Sequence, residues 1–198
     1  MPASTDFHST GRYIHTHGGR FYIDKDCREF KIKAIAGGLA RVYRWNGQVS
    51  EFISVAEHSV MVSTLLWQRG ETHRVQLLGL LHDACEAYIG DVPGPFKALL
   101  PDYERLEEEL TTQILQEFVD QAWQGPLPTV VKSADWEALY IEARRLKIPN
   151  IEEWPRFAEF PAKFWHPSLQ FWNPEKAEKA FLDRFKTLRQ ASRNPRRA

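Results

Sequence analysis

Between Thr72 and Gly90 the chain reads as a helix that is apolar on nearly every face, yet it carries His82, Asp83 and Glu86. Burying ionisable groups without partners costs several kcal/mol, so something must compensate them. Glu86 follows His82 by four residues and Asp83 by three, which returns it to their face of a helix. One helix thus presents an imidazole and two carboxylates to a single spot, and a divalent cation would satisfy all three. A hydrogen-bonded His–Asp pair in the core is the other reading of that dipeptide. Two further positions favour the metal. His58 lies on the preceding helix among Val55, Val60 and Val62, and Asp135 lies ahead of Leu139 and Ile141 on a later one. In a helical bundle, inward residues of three helices can supply one ion. His58, His82, Asp83 and Asp135 would offer it two nitrogens and two carboxylate oxygens, leaving positions for water or a substrate phosphate.

The elements that must position these residues are mostly helical. A hairpin comes first, over about residues 12–24, its strands flanking Gly18-Gly19. Ile32, Ile35, Leu39, Val42 and Tyr43 then recur at helical spacing, predicting one helix that ends near Asn46-Gly47. Ser54 and Glu57 form a capping box for a helix to about Arg69. Thr72 caps the apolar helix through Tyr88 or Ile89, and Pro93-Gly94-Pro95 marks a loop. Asp102 is placed to cap a charged helix to about Ala122, and Thr129 a fifth to about Lys147. Residues 149–172 read as an aromatic-rich loop, and Asn173 caps a last helix through Leu188 before a basic tail. The expected fold is therefore all-α: a helical bundle with a small N-terminal β-hairpin. It occupies residues 1–198 as one domain, with a helical core over about 31–147 and the aromatic loop and C-terminal helix over 149–190.

Composition narrows the function classes. The 198 residues hold 26 Lys and Arg against 26 Asp and Glu, which excludes the basic footprint of a sequence-blind nucleic-acid binder. Apolar runs such as Leu77 to Leu81 fall far short of the roughly 20 residues of a membrane span. Residues Met1 to Arg12 show no apolar signal-peptide core. The two cysteines, Cys27 and Cys85, cannot build a disulfide scaffold, so a reducing, cytoplasmic setting is expected.

The order His58, His82-Asp83, Asp135 resembles the H…HD…D signature of HD-domain phosphohydrolases. Arg44-Trp45, Glu57-His58-Ser59, the run from His82 to Glu86, the run from Gly90 to Lys97, and Lys132-Ser133-Ala134-Asp135 follow the order of bacterial 5′-deoxynucleotidases. Residues 39–47 and the hairpin look closer still to small phage-type deoxyadenosine triphosphohydrolases. The likeness covers roughly residues 10–145, and Gly94 departs from it where the deoxynucleotidase pattern has a hydroxyl residue. The resemblance implies one divalent metal ion (Co, Mn, Zn or similar) on the four ligands. It implies that Glu86 orients or deprotonates the attacking water and that Asp91 protonates or positions the leaving group. Arg44 and Lys97 would hold phosphate, and Trp45 would press on the sugar or base. Related enzymes form dimers or rings, so a homo-oligomer is expected.

Other readings of these residues are structural. Arg44 is also a helix-end cation, Trp45 a core aromatic, Asp91 the start of a loop, and Lys97 and Lys132 solvated charges. The aromatic residues from Trp154 to Trp172 are expected to pack on the bundle or on a neighbouring subunit, with a base-stacking wall as the alternative. His15, His17, His73 and His166 read as surface or loop residues, and Glu57 as a cap. The absence of histidine from Ala84 to Ala134 disfavours a two-iron oxygenase, and Glu86 disfavours a non-catalytic nucleotide sensor. The expected function is release of triphosphate from a dATP-like deoxynucleotide, with 5′-deoxynucleotidase action on a dNMP as the alternative.

Overall fold

A computed structural model describes residues 12–24, 28–160 and 169–193. Cys27, Phe164, Trp165, His166 and the basic tail lie outside them. The expected hairpin forms from β1 (Tyr13–Thr16) and β2 (Gly19–Tyr22), antiparallel, with Ile14 opposite Phe21. Its turn sits on His17 and Gly18, one residue earlier than expected, and Thr16 pairs with Gly19. The Thr16 hydroxyl sets this position by accepting the Gly18 N–H at 3.1 Å and donating to the Gly19 carbonyl at 2.9 Å.

The single helix expected to end near Asn46-Gly47 is two elements. α1 (Ile32–Leu39) stops early, and a 3-10 turn covers Arg44–Gly47. Between them the backbone pairs as a strand would: Val55 N–H donates to the Val42 carbonyl and Arg44 N–H to that of Ile53. Apolar spacing carries no trace of that competing ladder. Trp45 and Asn46 then take left-handed φ values of 60° and 50°, which side chains adopt only where surrounding contacts hold them.

Ser54 caps α2 (Val55–Gln68) as expected, accepting the Glu57 N–H at 3.2 Å. The box is only half made. The Glu57 carboxylate instead accepts the backbone N–H groups of Gln170 and Trp172, tying that segment to α2. Thr72 caps α3 (His73–Leu81) by accepting the Val75 N–H at 3.3 Å. The expected run to Tyr88 or Ile89 breaks at residues 82–85, where Ala84 and Glu86 donate three residues back, before α4 (Glu86–Ile89). A continuing α-helix would offer the Gly79 carbonyl to the Asp83 N–H, but this carbonyl receives His82 Nδ1 at 2.8 Å.

Pro93 leads into one helical turn, α5 (Gly94–Lys97), where a loop was expected. α6 (Pro101–Phe118) starts after Leu100, so Asp102 lies in its first turn and is not its cap. It ends short of Ala122 because the Asp120 carboxylate accepts the Ala122 N–H at 3.0 Å and stabilises a turn. α7 (Thr129–Arg145) follows Pro128, which makes Thr129 its first residue rather than its cap, and it ends close to the expected Lys147, with Leu146 as its C-terminal cap. Asn173 caps α8 (Pro174–Arg193) through the Lys176 N–H at 2.9 Å, as expected.

α2 is the central helix, packed by α3, α7 and α8, with Met61, Leu65 and Leu66 fully buried. α3 approaches it at Gly79, where a Cβ would overlap the Leu66 side chain. Phe21 of the hairpin stacks on Tyr88 of α4 at 4.0 Å between ring centroids, bracing the segment that carries Glu86. Cys85 is buried, and burial pushes its thiol pKa up, as expected of a core cysteine. No helix among the described residues is long and apolar enough to cross a membrane.

α1 meets α4 at Gly38. A Cβ there would stand 2.9 Å from Ala87 Cβ and 3.0 Å from its carbonyl oxygen. Backbone cannot yield as a side-chain tip can, so Gly38→Ala should lower stability by about 1–3 kcal/mol. The expected readout is a lower urea midpoint at unchanged slope. A wild-type midpoint would mean that α1 and α4 are free to separate.

Candidate metal centre

Three packed helices bring the expected ligands together. His58 stands in the second turn of α2, His82 caps the C-terminus of α3, Asp83 follows in the tightened turn, and Asp135 lies on α7. Because α2, α3 and α7 contact one another, their inward side chains share one space. Ligand atoms of His58, His82 and Asp83 lie within 4.8 Å of one another, a group able to hold a metal ion. Asp135 joins them, its Oδ1 lying 3.0 Å from His58 Nε2 and 3.6 Å from His82 Nε2. Asp83 Oδ2 is 3.0 Å from His82 Nε2 and 3.8 Å from His58 Nε2.

Hydrogen bonds fix which ring nitrogen faces this point. His82 Nδ1 meets a carbonyl, that of Gly79, and must donate to it. His58 Nδ1 meets Glu142 Oε1 at 2.6 Å and donates to that carboxylate. In the neutral rings, both Nε2 atoms therefore present lone pairs toward carboxylate oxygens. His82 Nε2 is buried without a hydrogen-bond partner among the described residues. Such a cluster of acceptors needs positive charge at its centre. Without an ion, protons supply it: burial opposes charging of the rings, but Asp83 and Asp135 outweigh this and hold the pKa of His82 well above the imidazole range. Burial and Arg44 lower that of His58, yet Glu142 and Asp135 raise it overall. Burial likewise opposes ionisation of Asp135, but the two imidazoles pull its pKa well below the usual carboxylate range. A divalent ion would compete with those protons for the same lone pairs. The donor set, two imidazoles and two carboxylates, suits first-row divalent ions and does not select one of them.

Glu142 is the functional residue that sequence reasoning missed. It is fully buried on α7. Oε1 holds His58, while Oε2 accepts Arg44 Nε at 3.0 Å and Trp45 Nε1 at 3.2 Å. Burial favours its neutral form, but Arg44 and His58 prevail and lower its pKa. Its signal in the sequence is spacing. Glu142 follows Asp135 by seven residues, two helical turns along the same stripe.

The residues expected to act on substrate are placed more variously. Glu86 is buried, its Oε2 has no hydrogen-bond partner among the described residues, and its Oε1 lies 3.8 Å from Lys97 Nζ. Burial, then the charges of Asp83 and Asp91, raise its pKa well above the carboxylate range. Burial also raises that of Asp91, which feels the charges of Arg44 and Asp83. Arg44 is no free helix-end cation: it is buried on Glu142, with Nη1 3.9 Å from Asp83 Oδ2. Lys97 is paired at 2.5 Å with Glu107. Trp45 stacks on Trp154 at 5.9 Å. Tyr140 of α7 collects Trp136, Trp154, Phe157 and Phe160 around its ring, so this part of the aromatic segment packs on the bundle. His15 and His17 are exposed and His73 is half-buried.

No protein-family model matches the chain. It is 35% identical over 178 residues to the uncharacterized protein YfdR of Escherichia coli, a match spanning 89% of this chain and 95% of that protein. It is also 35% identical over 130 residues to an uncharacterized protein of Rhodobacter capsulatus, spanning 63% of this chain and 66% of that one.

Proposed function

The chain belongs to the family of the Escherichia coli protein YfdR, and from that premise we propose that it is a metal-dependent phosphohydrolase of deoxynucleotides, of the HD-domain type. One observation carries the reading. Both imidazole Nε2 atoms and the oxygens of Asp83 and Asp135 converge on one point, beside the buried carboxylate of Glu86, whose Oε2 has no hydrogen-bond partner among the described residues. A divalent ion bound there would polarise a phosphoryl oxygen and acidify a water. The raised pKa of Glu86 makes its ionised carboxylate a stronger base than an ordinary one, suited to take a proton from that water. Asp91, also raised, is suited to give one to the departing oxygen. A sensor that only binds nucleotide would have no use for such a pair. The setting we propose is cytoplasmic, with a single nucleotide rather than a nucleic-acid polymer as partner, and a homo-oligomeric assembly.

Charge placement supports a deoxynucleoside monophosphate. Arg44 is bound to Glu142 and Lys97 to Glu107, so neither cation stands ready for distal phosphates. Triphosphate release, suggested by the hairpin and residues 41–47, would draw on those cations only with the pairs opened. Chromatography of dAMP and dATP incubations with Mn²⁺, Co²⁺ or Zn²⁺ separates the readings. Orthophosphate and deoxyadenosine from dAMP are expected. Triphosphate and deoxyadenosine from dATP would install the second reading, and no product from either nucleotide with any metal would overturn both.

A further inference from the structure

A cavity of about 600 Å³ opens against His82, Asp83 and Asp135, between α6 and α7. It is large enough for a small-molecule ligand. Arg44, Trp45, Glu86, Asp91 and Lys97 are not among the residues that line it. Its walls instead carry two indoles, Trp123 and Trp136, with Leu127 between polar positions. The remaining charged lining is Glu107, Glu108 and Lys132, so carboxylates outnumber cations around the space. Lys97 already compensates Glu107. Glu108 is exposed and makes no hydrogen bond or ion pair among the described residues.

With Glu107 compensated by Lys97, Glu108 and Lys132 are the charges left beyond the metal-centre residues, and the lining suits a flat, neutral group that donates hydrogen bonds. Trp136 already stacks on Tyr140 with Arg156 over its ring, so Trp123 is the indole left to stack on a base, and a carboxylate accepts from an exocyclic amine. We propose that the cavity holds the nucleoside portion of the substrate, and that Glu108 selects bases bearing an exocyclic amine. Thymine is disfavoured because its ring N–H lies between two carbonyls, which would face the carboxylate. The assignment rests on the phosphohydrolase reading only for the phosphoryl group, which stays at the metal centre.

Deoxyadenosine and thymidine carry no phosphate and can be titrated calorimetrically into Mn²⁺-loaded protein without turnover. Deoxyadenosine should bind at least about tenfold more tightly, and Glu108→Gln should bring the two within about twofold. Trp123→Ala should weaken deoxyadenosine about tenfold, with Trp123→Phe restoring most of the loss. Trp123 also supports the Arg74 guanidinium, so Glu108→Gln, at an exposed position, carries the test if Trp123→Ala does not fold. Equal affinity of the two nucleosides, no binding of either, or 2-deoxyribose 5-phosphate matching dAMP would overturn the proposal. Hydrolysis of dAMP with unchanged KM in both variants would remove the cavity and leave the hydrolase. Selective nucleoside binding by a protein that hydrolyses nothing would do the reverse.

Discussion

Replacing Glu86 with Gln should leave the protein folded and metal-loaded while slowing deoxynucleotide hydrolysis by about a hundred- to ten-thousand-fold, the usual contribution of a positioned proton acceptor. The substitution keeps the shape of a side chain that is 3% exposed and removes its capacity to take a proton. It also removes a charge that burial, Asp83 and Asp91 already disfavour, so stability should hold or rise. Single-turnover rates, dAMP affinity and metal content measured together decide the role. Turnover near wild type would dismiss Glu86 as the proton acceptor. Loss of metal along with turnover would make it a ligand instead.

Glu142→Ala should have the other large effect, on metal affinity and stability together. The carboxylate fixes His58 so that Nε2 faces the centre, and loss of such an outer partner costs about 10- to 100-fold in metal affinity. It also leaves the buried Arg44 guanidinium without its principal counter-charge, which costs about 3–5 kcal/mol. A second variant separates the two effects. Glu142→Leu combined with Arg44→Met removes both buried charges, and such replacements are often neutral for stability. Stability should return in that double variant, but metal affinity should stay low, because His58 Nδ1 still lacks its acceptor. Chelator competition with Co²⁺, together with the Co²⁺ absorption spectrum, reads this without any turnover. Full recovery of metal binding in the double variant would reduce Glu142 to a counter-ion for Arg44.

The side chains of the candidate metal centre were legible because each obeys a local rule. An ionisable residue in an apolar helical stripe is costly unless compensated, and that cost marks His58, His82, Asp83, Glu86 and Asp135 from sequence alone. Capping chemistry is equally local, which is why Ser54, Thr72 and Asn173 start helices as expected. The helix ends that went astray answer to partners from elsewhere. Val42 and Arg44 leave helical phase to pair with Val55 and Ile53, and the Gly79 carbonyl receives an imidazole. Asp102 and Thr129 are acceptable caps by type, but α6 already starts at Pro101, and Pro128 takes the cap position of α7.

Glu57 and Glu142 show the same division among charges. The spacing of Ser54 and Glu57 suggests a reciprocal cap, yet the carboxylate goes to amides more than a hundred residues away. Glu142 sits in phase with Asp135, a pattern equally consistent with a solvated helix face. What decides its role is the arrival of His58, Arg44 and Trp45 from two other segments. The sequence by itself determined an all-α bundle with an N-terminal hairpin and named the side chains that meet at the candidate metal centre, because periodicity and burial cost act within one helix. Only the tertiary structure decided which ring nitrogens face the centre, which cations are already paired, and where a cavity opens beside it. Those depend on distances between helices, and no spacing along one chain segment sets them.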